Sequence, residues 1–314
     1  MICEINMTRA IHMRLVSAFL SMILFAIEPA AAQIAQPQLG YMRDASGLLR
    51  PIFGIAAAAT LGAPVLENVI SFACSAKWCL AKTDAALVSF TPSGGTEGVA
   101  APAGPAIIAH ANHGAWIYYS STMQLARWKD GALTSIDFSP DGRVLSLRAT
   151  ADGLDYAVIR GGSALVWIEH FSPSDGSVTL IDFFALNSFA PDSFAIESGA
   201  VAKEDVANEV MLLDGGVLAS SHDHVTLRRA DGTELTFPVT GASAFHAAGN
   251  GYVQISASSG MWILRTDPGH EQLSLLPGAP QGALQRAPPG ALQSESVQRA
   301  PQGVIQRAPP GAIQ

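Results

Sequence analysis

Residues 106–131, AIIAHANHGAWIYYSSTMQLARWKDG, contain the pattern that decides the fold. Three short and mostly apolar runs are separated by turn residues, which predicts three antiparallel strands that end at the Lys129-Asp130-Gly131 turn. The next residues, ALTSIDF, predict a fourth strand. A unit of four short antiparallel strands is typical of a β-propeller blade.

Related units recur along the chain, and their spacing favours a ring of blades. Each unit ends at a glycine-containing turn, and the five units are 70–95, 106–131, 144–176, 210–232 and 244–269. Their closing glycines are separated by 36, 45, 56 and 37 residues, whereas a propeller blade repeats after about 40 residues. The long interval contains residues 183–209, which we interpret as an insertion or a degenerate blade.

An N-terminal hairpin adds to these five units. Leu39–Met42 and Leu48–Ile52 predict two strands around a turn, and Ala56–Ala59, bracketed by glycine and proline, predicts an irregular connection rather than a helix. The sequence therefore predicts an all-β fold over residues 33–276. We expect a β-propeller of about six four-stranded blades, with five or seven blades as alternatives.

The N-terminus predicts export. Arg9 and Arg14 precede the apolar run Leu15–Ile27, and small residues at 30–32 supply the site that a signal peptidase requires. The run has 13 residues, fewer than the roughly 20 that cross a bilayer. We therefore interpret residues 1–32 as a secretory signal peptide, and expect a periplasmic or extracellular protein with no membrane span after cleavage.

Composition narrows the class of partner. The net charge is −8, only 14% of residues are charged, and the four lysines form no cluster. Nucleic-acid binders usually carry a basic stripe that displaces counterions from phosphates, so we expect no nucleic-acid partner. A chain of 314 residues can bury a substantial core, and we expect it to be a monomer.

Two cysteines remain after signal cleavage. Cys74 and Cys79 lie in FACSAKWCLAK, at facing ends of two strand-like segments. In an oxidising compartment a disulfide that closes this hairpin is the favoured interpretation. Free thiols and a metal site remain as alternatives, although two thiols alone make an incomplete ligand set.

The tail, residues 277–314, differs from the rest of the chain. Units of the form Arg-Ala-Pro-x-Gly-x-x-Gln begin at Arg286, Arg299 and Arg307. Proline and glycine at this density prevent helices and ladders, which predicts a disordered or polyproline-like extension. The tail is either a spacer or docking element, or a low-complexity repeat without specific function.

Polar residues on the first strand of several units form the main candidate binding site. His110 and His246 occupy matching places, Arg148 lies at the corresponding place in the third unit, and Asp214 in the fourth. Inner strands of a propeller line its central channel, so these four residues could surround a small anionic or carbohydrate ligand at the channel mouth. The alternative is that neighbouring backbone groups satisfy each of them.

A second cluster, His222-Asp223-His224, is a weak metal candidate. His222 and His224 alternate along the chain and could share one face of a strand. The triplet falls where the other units have the turn between their second and third strands, so a polar hairpin turn is favoured. We expect no cofactor, and motifs typical of catalytic sites are absent from the sequence.

The stretch Leu49–Ile55, LRPIFGI, followed by Ala59–Gly62, ATLG, resembles the first motif of a group of bacterial secreted β-propeller-like repeat proteins. This resemblance covers Gln38–Pro277, implies a propeller fold and export, and brings no catalytic residues with it. We therefore expect an exported, non-enzymatic binding or assembly scaffold with a protein or carbohydrate partner. The alternative is a propeller hydrolase or lyase that acts on a glycan or a lactone.

Overall fold

Short antiparallel strands make up almost all the regular structure of the described residues. The computed structural model describes residues 36–92, 94–111, 114–161, 163, 165–185 and 209–277. The described residues from Leu39 onward belong to one compact unit. No helix in this part of the chain is long and apolar enough to cross a membrane.

The strands form six sheets in chain order, which we call blades 1 to 6. Blade 1 has three strands, β1 (Gln38–Arg43), β2 (Leu49–Phe53) and β3 (Thr60–Leu61). The other five blades have four strands each. Blade 2 contains β4 (Ser71–Cys74), β5 (Cys79–Lys82), β6 (Ala86–Phe90) and β7 (Thr96–Ala100), and blade 3 contains β8 (Ala106–Ala111), β9 (Gly114–Tyr119), β10 (Gln124–Lys129) and β11 (Ala132–Ile136).

Blade 4 contains β12 (Arg143–Ala149), β13 (Leu154–Ile159), β14 (Leu165–Phe171) and β15 (Val178–Ala185). Blade 5 contains β16 (Val210–Leu213), β17 (Gly216–Ser220), β18 (Val225–Arg229) and β19 (Glu234–Phe237). Blade 6 contains β20 (Ala242–Gly249), β21 (Tyr252–Ala257), β22 (Gly260–Arg265) and β23 (Gln272–Leu275).

Six hydrophobic clusters join the blades into a ring. Each cluster combines side chains from two successive blades, for example Leu80 of blade 2 with Ile117 of blade 3. The ring closes because Met42 and Ile52 of blade 1 pack with Ile263 of blade 6. The prediction of a β-propeller of about six blades is therefore confirmed.

The junction between blades 1 and 6 is especially close. A Cβ atom at Gly40 would lie 2.1 Å from the carbonyl oxygen of Ala248, so only glycine fits there. The buried side-chain amide of Gln254 accepts a hydrogen bond from Arg43 N and donates one to Arg43 O, each 2.9 Å long. This amide therefore pairs with both backbone groups of Arg43, as the backbone of a neighbouring strand does, and links blade 6 to blade 1.

The sequence predictions outside the blades have mixed outcomes. Ala56–Ala58 forms a single turn of 3-10 helix within the predicted irregular connection. Strand β15 runs to Ala185, so the first residues of the predicted insertion at 183–209 belong to blade 4. Residues 186–208, the predicted signal peptide at 1–32, and the tail from 278 onward lie outside the described residues.

Candidate functional site

His110 joins blade 3 to blade 2. Its ring Nε2 lies 2.7 Å from the carbonyl oxygen of Ala73, to which it donates a hydrogen bond. The ring of Trp78 meets it edge to face with centroids 4.4 Å apart. Burial lowers the pKa of His110, and the bond to Ala73 opposes this shift. The imidazole is neutral and hydrogen-bonded to the backbone of blade 2, so its main role is to connect the two blades.

His246 makes the equivalent contact from blade 6. Its ring stacks on Phe72 with centroids 4.9 Å apart, and a hydrogen bond to the backbone of Phe72 stabilises its charged form. Burial, assisted by the nearby positive charge of Arg43, nevertheless lowers the pKa of His246 to about 4. The two histidines thus meet β4 at consecutive residues, Phe72 and Ala73.

Arg148 lies at a different junction, between blades 4 and 5. Its Nη1 donates a 2.8 Å hydrogen bond to the carbonyl oxygen of Leu213, and its Nε donates to Asp155 Oδ2 at 3.1 Å. Asp214 is exposed in the turn between β16 and β17. The structure therefore brings His110 and His246 together on β4 and places Arg148 and Asp214 elsewhere.

The row that contains Arg148 includes two residues that the sequence analysis did not single out. Arg148, Asp155 and His170 are cross-strand neighbours on β12, β13 and β14. Buried Asp155 accepts a hydrogen bond from His170 Nδ1 at 2.8 Å, so Nε2 carries the free lone pair of the imidazole. That Nε2 lies 3.8 Å from the exposed carboxylate of Asp152.

The contact with Asp155 orients the ring of His170. A carboxylate that accepts a hydrogen bond from one ring nitrogen fixes the tautomer, so the other nitrogen is the acceptor. Gly153 is required beside this ring, because a Cβ there would lie 2.2 Å from the carbonyl oxygen of Phe171 and 3.1 Å from Cε1 of His170. Arg148, Asp155 and His170 come together only through the pairing register of blade 4, which the sequence pattern does not specify.

The weak metal candidate is a hairpin turn in the structure. His224 is buried and its Nδ1 lies 2.8 Å from Ser221 Oγ and 2.6 Å from Asp223 Oδ1, whereas His222 is exposed. The hydrogen bond to His224 lowers the pKa of Asp223 most, and burial opposes it. Among the described residues no three or more His, Cys, Asp or Glu side chains are grouped as a metal site would need.

Cys74 and Cys79 are joined by a disulfide at the facing ends of β4 and β5. Both cysteines are buried in the cluster between blades 1 and 2. The bond closes the hairpin directly beside Ala73, whose carbonyl group accepts the bond from His110.

A cleft of about 550 Å³ lies between blades 2 and 3, and we call it the blade 2–3 cleft. Its lining residues include the aromatic Trp78, Phe90 and Trp128 and the exposed acidic residues Glu97 and Asp130. Phe90 and Trp128 are buried, whereas Trp78 is half-buried. Such a cleft suits a ligand with a flat or cationic group.

The fold defines the chain as a six-bladed β-propeller. No protein-family model and no curated protein matches its sequence. A chain in the crystal structure of a nidogen/laminin complex has 8% identity over 76% of this chain and 92% of that chain, with a TM-score of 0.49.

Two bacterial structures are also similar. PorZ, a surface component of the type-IX secretion system of Porphyromonas gingivalis, has 11% identity over 77% of this chain and 38% of its own, with a TM-score of 0.43. The extracellular domain of BT4673 from B. thetaiotaomicron has 13% identity over 76% of this chain and 33% of its own, with a TM-score of 0.37. The chain thus spans 33–38% of the length of these two chains, and likenesses this weak carry no information about ligands. The assignment to the propeller class depends on the six packed blades themselves.

Proposed function

We propose that the chain is an exported, non-enzymatic binding or assembly scaffold that holds a partner protein along strand β15. The signal peptide predicted at residues 1–32 supports export, and so does the resemblance of Leu49–Ile55 to secreted bacterial propellers. The observation that carries the binding role is an exposed apolar edge on blade 4.

Strand β15 is unlike the other outermost strands. Val178, Leu180, Ile181 and Phe183 are each 48–54% exposed. Among the described residues no other outermost strand has an exposed large hydrophobic side chain. Natural sheets usually protect an outer edge with polar or charged residues, so an unprotected apolar edge marks an interaction surface.

The occupant that fits this edge is an extended segment of a partner protein. β15 is the last strand of its sheet, and over residues 178–182 one row of its backbone groups faces away from β14. An added strand would pair with that row and cover apolar side chains on both faces. Burial of one such side chain contributes roughly 1.5–3 kcal/mol, so several together can offset the cost of association.

Lysines on β15 should release the partner. We expect the Leu180→Lys, Ile181→Lys variant of the full chain to retain less than about a tenth of the partner that co-purifies with the wild type, because two charges would have to be desolvated. The matched control is Ala132→Lys, Thr134→Lys on β11, because both side chains are exposed on the outer strand of blade 3 and neither lines the cleft that contains Val178 of β15. Quantitative mass spectrometry of the captured envelope fraction measures both.

Hydrogen exchange then tests the mode of binding. Amides of β15 should exchange at least about tenfold more slowly in the complex, because an added strand protects them. Equal retention by the β15 and β11 variants, or unchanged exchange in β15, would contradict the proposal. Sedimentation of the purified wild type as a dimer would also contradict it, because the occupant would then be a second copy.

The paired Asp155 and His170 favour a second candidate, a hydrolase or lyase that acts on a glycan or a lactone. If His170 Nε2 serves as general base, the His170→Gln variant should lose at least about a hundredfold in turnover. His222→Gln, which changes an exposed histidine in a turn, should leave turnover unchanged. A panel of glycosides and lactones measures this, and absence of turnover by the wild type would eliminate the candidate.

A further inference from the structure

The blade 2–3 cleft combines aromatic walls with an acidic rim. Trp78 follows the first turn of blade 2, whereas Trp128 and Asp130 come from the third strand of blade 3 and the turn after it. Glu97 on β7 reaches across to this turn, where its Oε2 lies 3.1 Å from the place that a Cβ of Gly131 would take. Both carboxylates therefore face one space between the two blades.

The charged side chains among the described lining residues of the cleft are all negative. Glu97 and Asp130 are the ionisable side chains among them, and both are exposed. Indole rings attract cations through their faces, and a guanidinium group can stack on an indole while it pairs with a carboxylate. The cleft therefore favours an arginine-containing ligand.

The C-terminal tail of the same chain has the complementary chemistry. Residues 278–314 contain Arg286, Arg299 and Arg307 against a single acidic residue, Glu295, while the whole chain has a net charge of −8. Each arginine is followed by Ala-Pro, and then by an aliphatic residue six positions after the arginine. Proline-rich segments favour the polyproline conformation, which docks onto aromatic grooves at a low entropic cost.

The tail is also long enough to reach the cleft. Arg307 is 30 residues beyond Pro277, the last described residue of blade 6. A polyproline-like segment extends about 3.1 Å per residue, so this arginine can lie up to roughly 90 Å from Pro277. Attachment to the same chain also gives the tail a local concentration of the order of millimolar, which raises the occupancy of even a weak site.

We propose that the blade 2–3 cleft is a recognition site for Arg-Ala-Pro segments and that the chain's own C-terminal tail occupies it. An arginine from one unit pairs with Glu97 and Asp130, and the following proline packs against Trp78. The tail contains three such units, and any one of them can bind in the cleft. A partner with a similar segment would have to displace the tail. This site is separate from β15 and does not depend on the function proposed for that strand.

Competition between the tail and a free peptide tests the proposal in the full chain. The probe is a fluorescein-labelled peptide with the sequence of residues 299–314, RAPQGVIQRAPPGAIQ. The Arg286→Ala, Arg299→Ala, Arg307→Ala variant has a disabled tail and an intact cleft. Fluorescence anisotropy should show at least about tenfold tighter binding of the peptide to this variant than to the wild type.

Changes in the cleft should then remove the binding. In the background of the tail variant, we expect Glu97→Gln with Asp130→Asn to weaken peptide binding at least about fivefold. We expect Trp78→Leu in the same background to weaken it by a similar factor. The matched control, Glu67→Gln with Glu234→Gln, changes two exposed carboxylates outside the cleft and should have no effect. A peptide with both arginines replaced by alanine should not bind.

Three results would overturn the proposal. Equal affinity of the peptide for the wild type and the tail variant would show that the tail does not compete. Unchanged affinity after the cleft substitutions would place the binding elsewhere. Concentration-dependent oligomers of the wild type, absent in the tail variant by light scattering, would show that the tail binds a second copy instead of its own chain.

Discussion

Replacement of Gln254 by leucine is expected to lower the free energy of unfolding by about 3 kcal/mol. The side-chain amide of Gln254 is fully buried and makes two 2.9 Å hydrogen bonds, to the backbone N–H and C=O of Arg43. Leucine has a similar size, so it should fill the space but leave both backbone groups without a partner. A buried polar group that loses its partner costs about 1–3 kcal/mol.

Urea denaturation of the purified full chain measures this loss. Ser256→Ala is the matched control on the same strand, because its hydroxyl receives only a long 3.4 Å contact from Gln254 Nε2, and we expect it to cost less than about 0.5 kcal/mol. If Gln254→Leu cost no more than the serine variant, closure between blades 1 and 6 would depend on apolar packing alone.

The blade pattern could be predicted from sequence because the turns that close the units require a particular backbone. The closing glycines all have a positive φ, which side chains disfavour: Gly95, Gly131, Gly176, Gly232 and Gly269, with φ between 72° and 84°. Glycine is therefore needed at these places, and its spacing along the chain records the spacing of the blades.

The candidate site was less predictable, because its contacts cross between strands or blades. The sequence placed His110 and His246 at matching positions, but it could not show that each faces a carbonyl group of β4. The Asp155–His170 pair depends on the register of β13 against β14, which short apolar strands do not specify locally. The matching positions of His110 and His246 in their units therefore identified contacts between blades and did not identify a ligand site.

The half-buried ring of His246, which stacks on buried Phe72, should make the propeller sensitive to acid. The pKa of His246 is lowered to about 4 in the folded chain, chiefly by burial and then by the charge of Arg43, whereas an unfolded histidine has a pKa of about 6.5. The unfolded state therefore binds a proton first as the pH falls. Stability from neutral His246 is fully present above about pH 6.5 and is lost progressively towards pH 4.

Glu209 acts in the opposite direction over part of the same range. Burial raises its pKa to about 7, and the charge of Arg143 only partly opposes this. Because Glu209 stays protonated in the folded chain while the unfolded chain ionises above about pH 4.5, its contribution to stability falls as the pH rises through this range. The two residues partly cancel in the wild type, so their effects must be separated by substitution.

Glu209→Gln is therefore the background in which the histidine should be measured. In this variant we expect the free energy of unfolding to fall by about 3 kcal/mol between pH 7 and pH 4, the equivalent of a pKa difference near 2.5 at about 1.4 kcal/mol per unit. Adding His246→Phe should reduce that slope, since phenylalanine can still pack on Phe72 but cannot take up a proton. His222→Phe in the same background is the control, because His222 is exposed in a turn. Urea denaturation at each pH measures the slope of the unfolding free energy against pH. An equal slope with and without His246 would mean that other groups cause the acid sensitivity. The first of these to test would be His110, whose pKa is also lowered by burial.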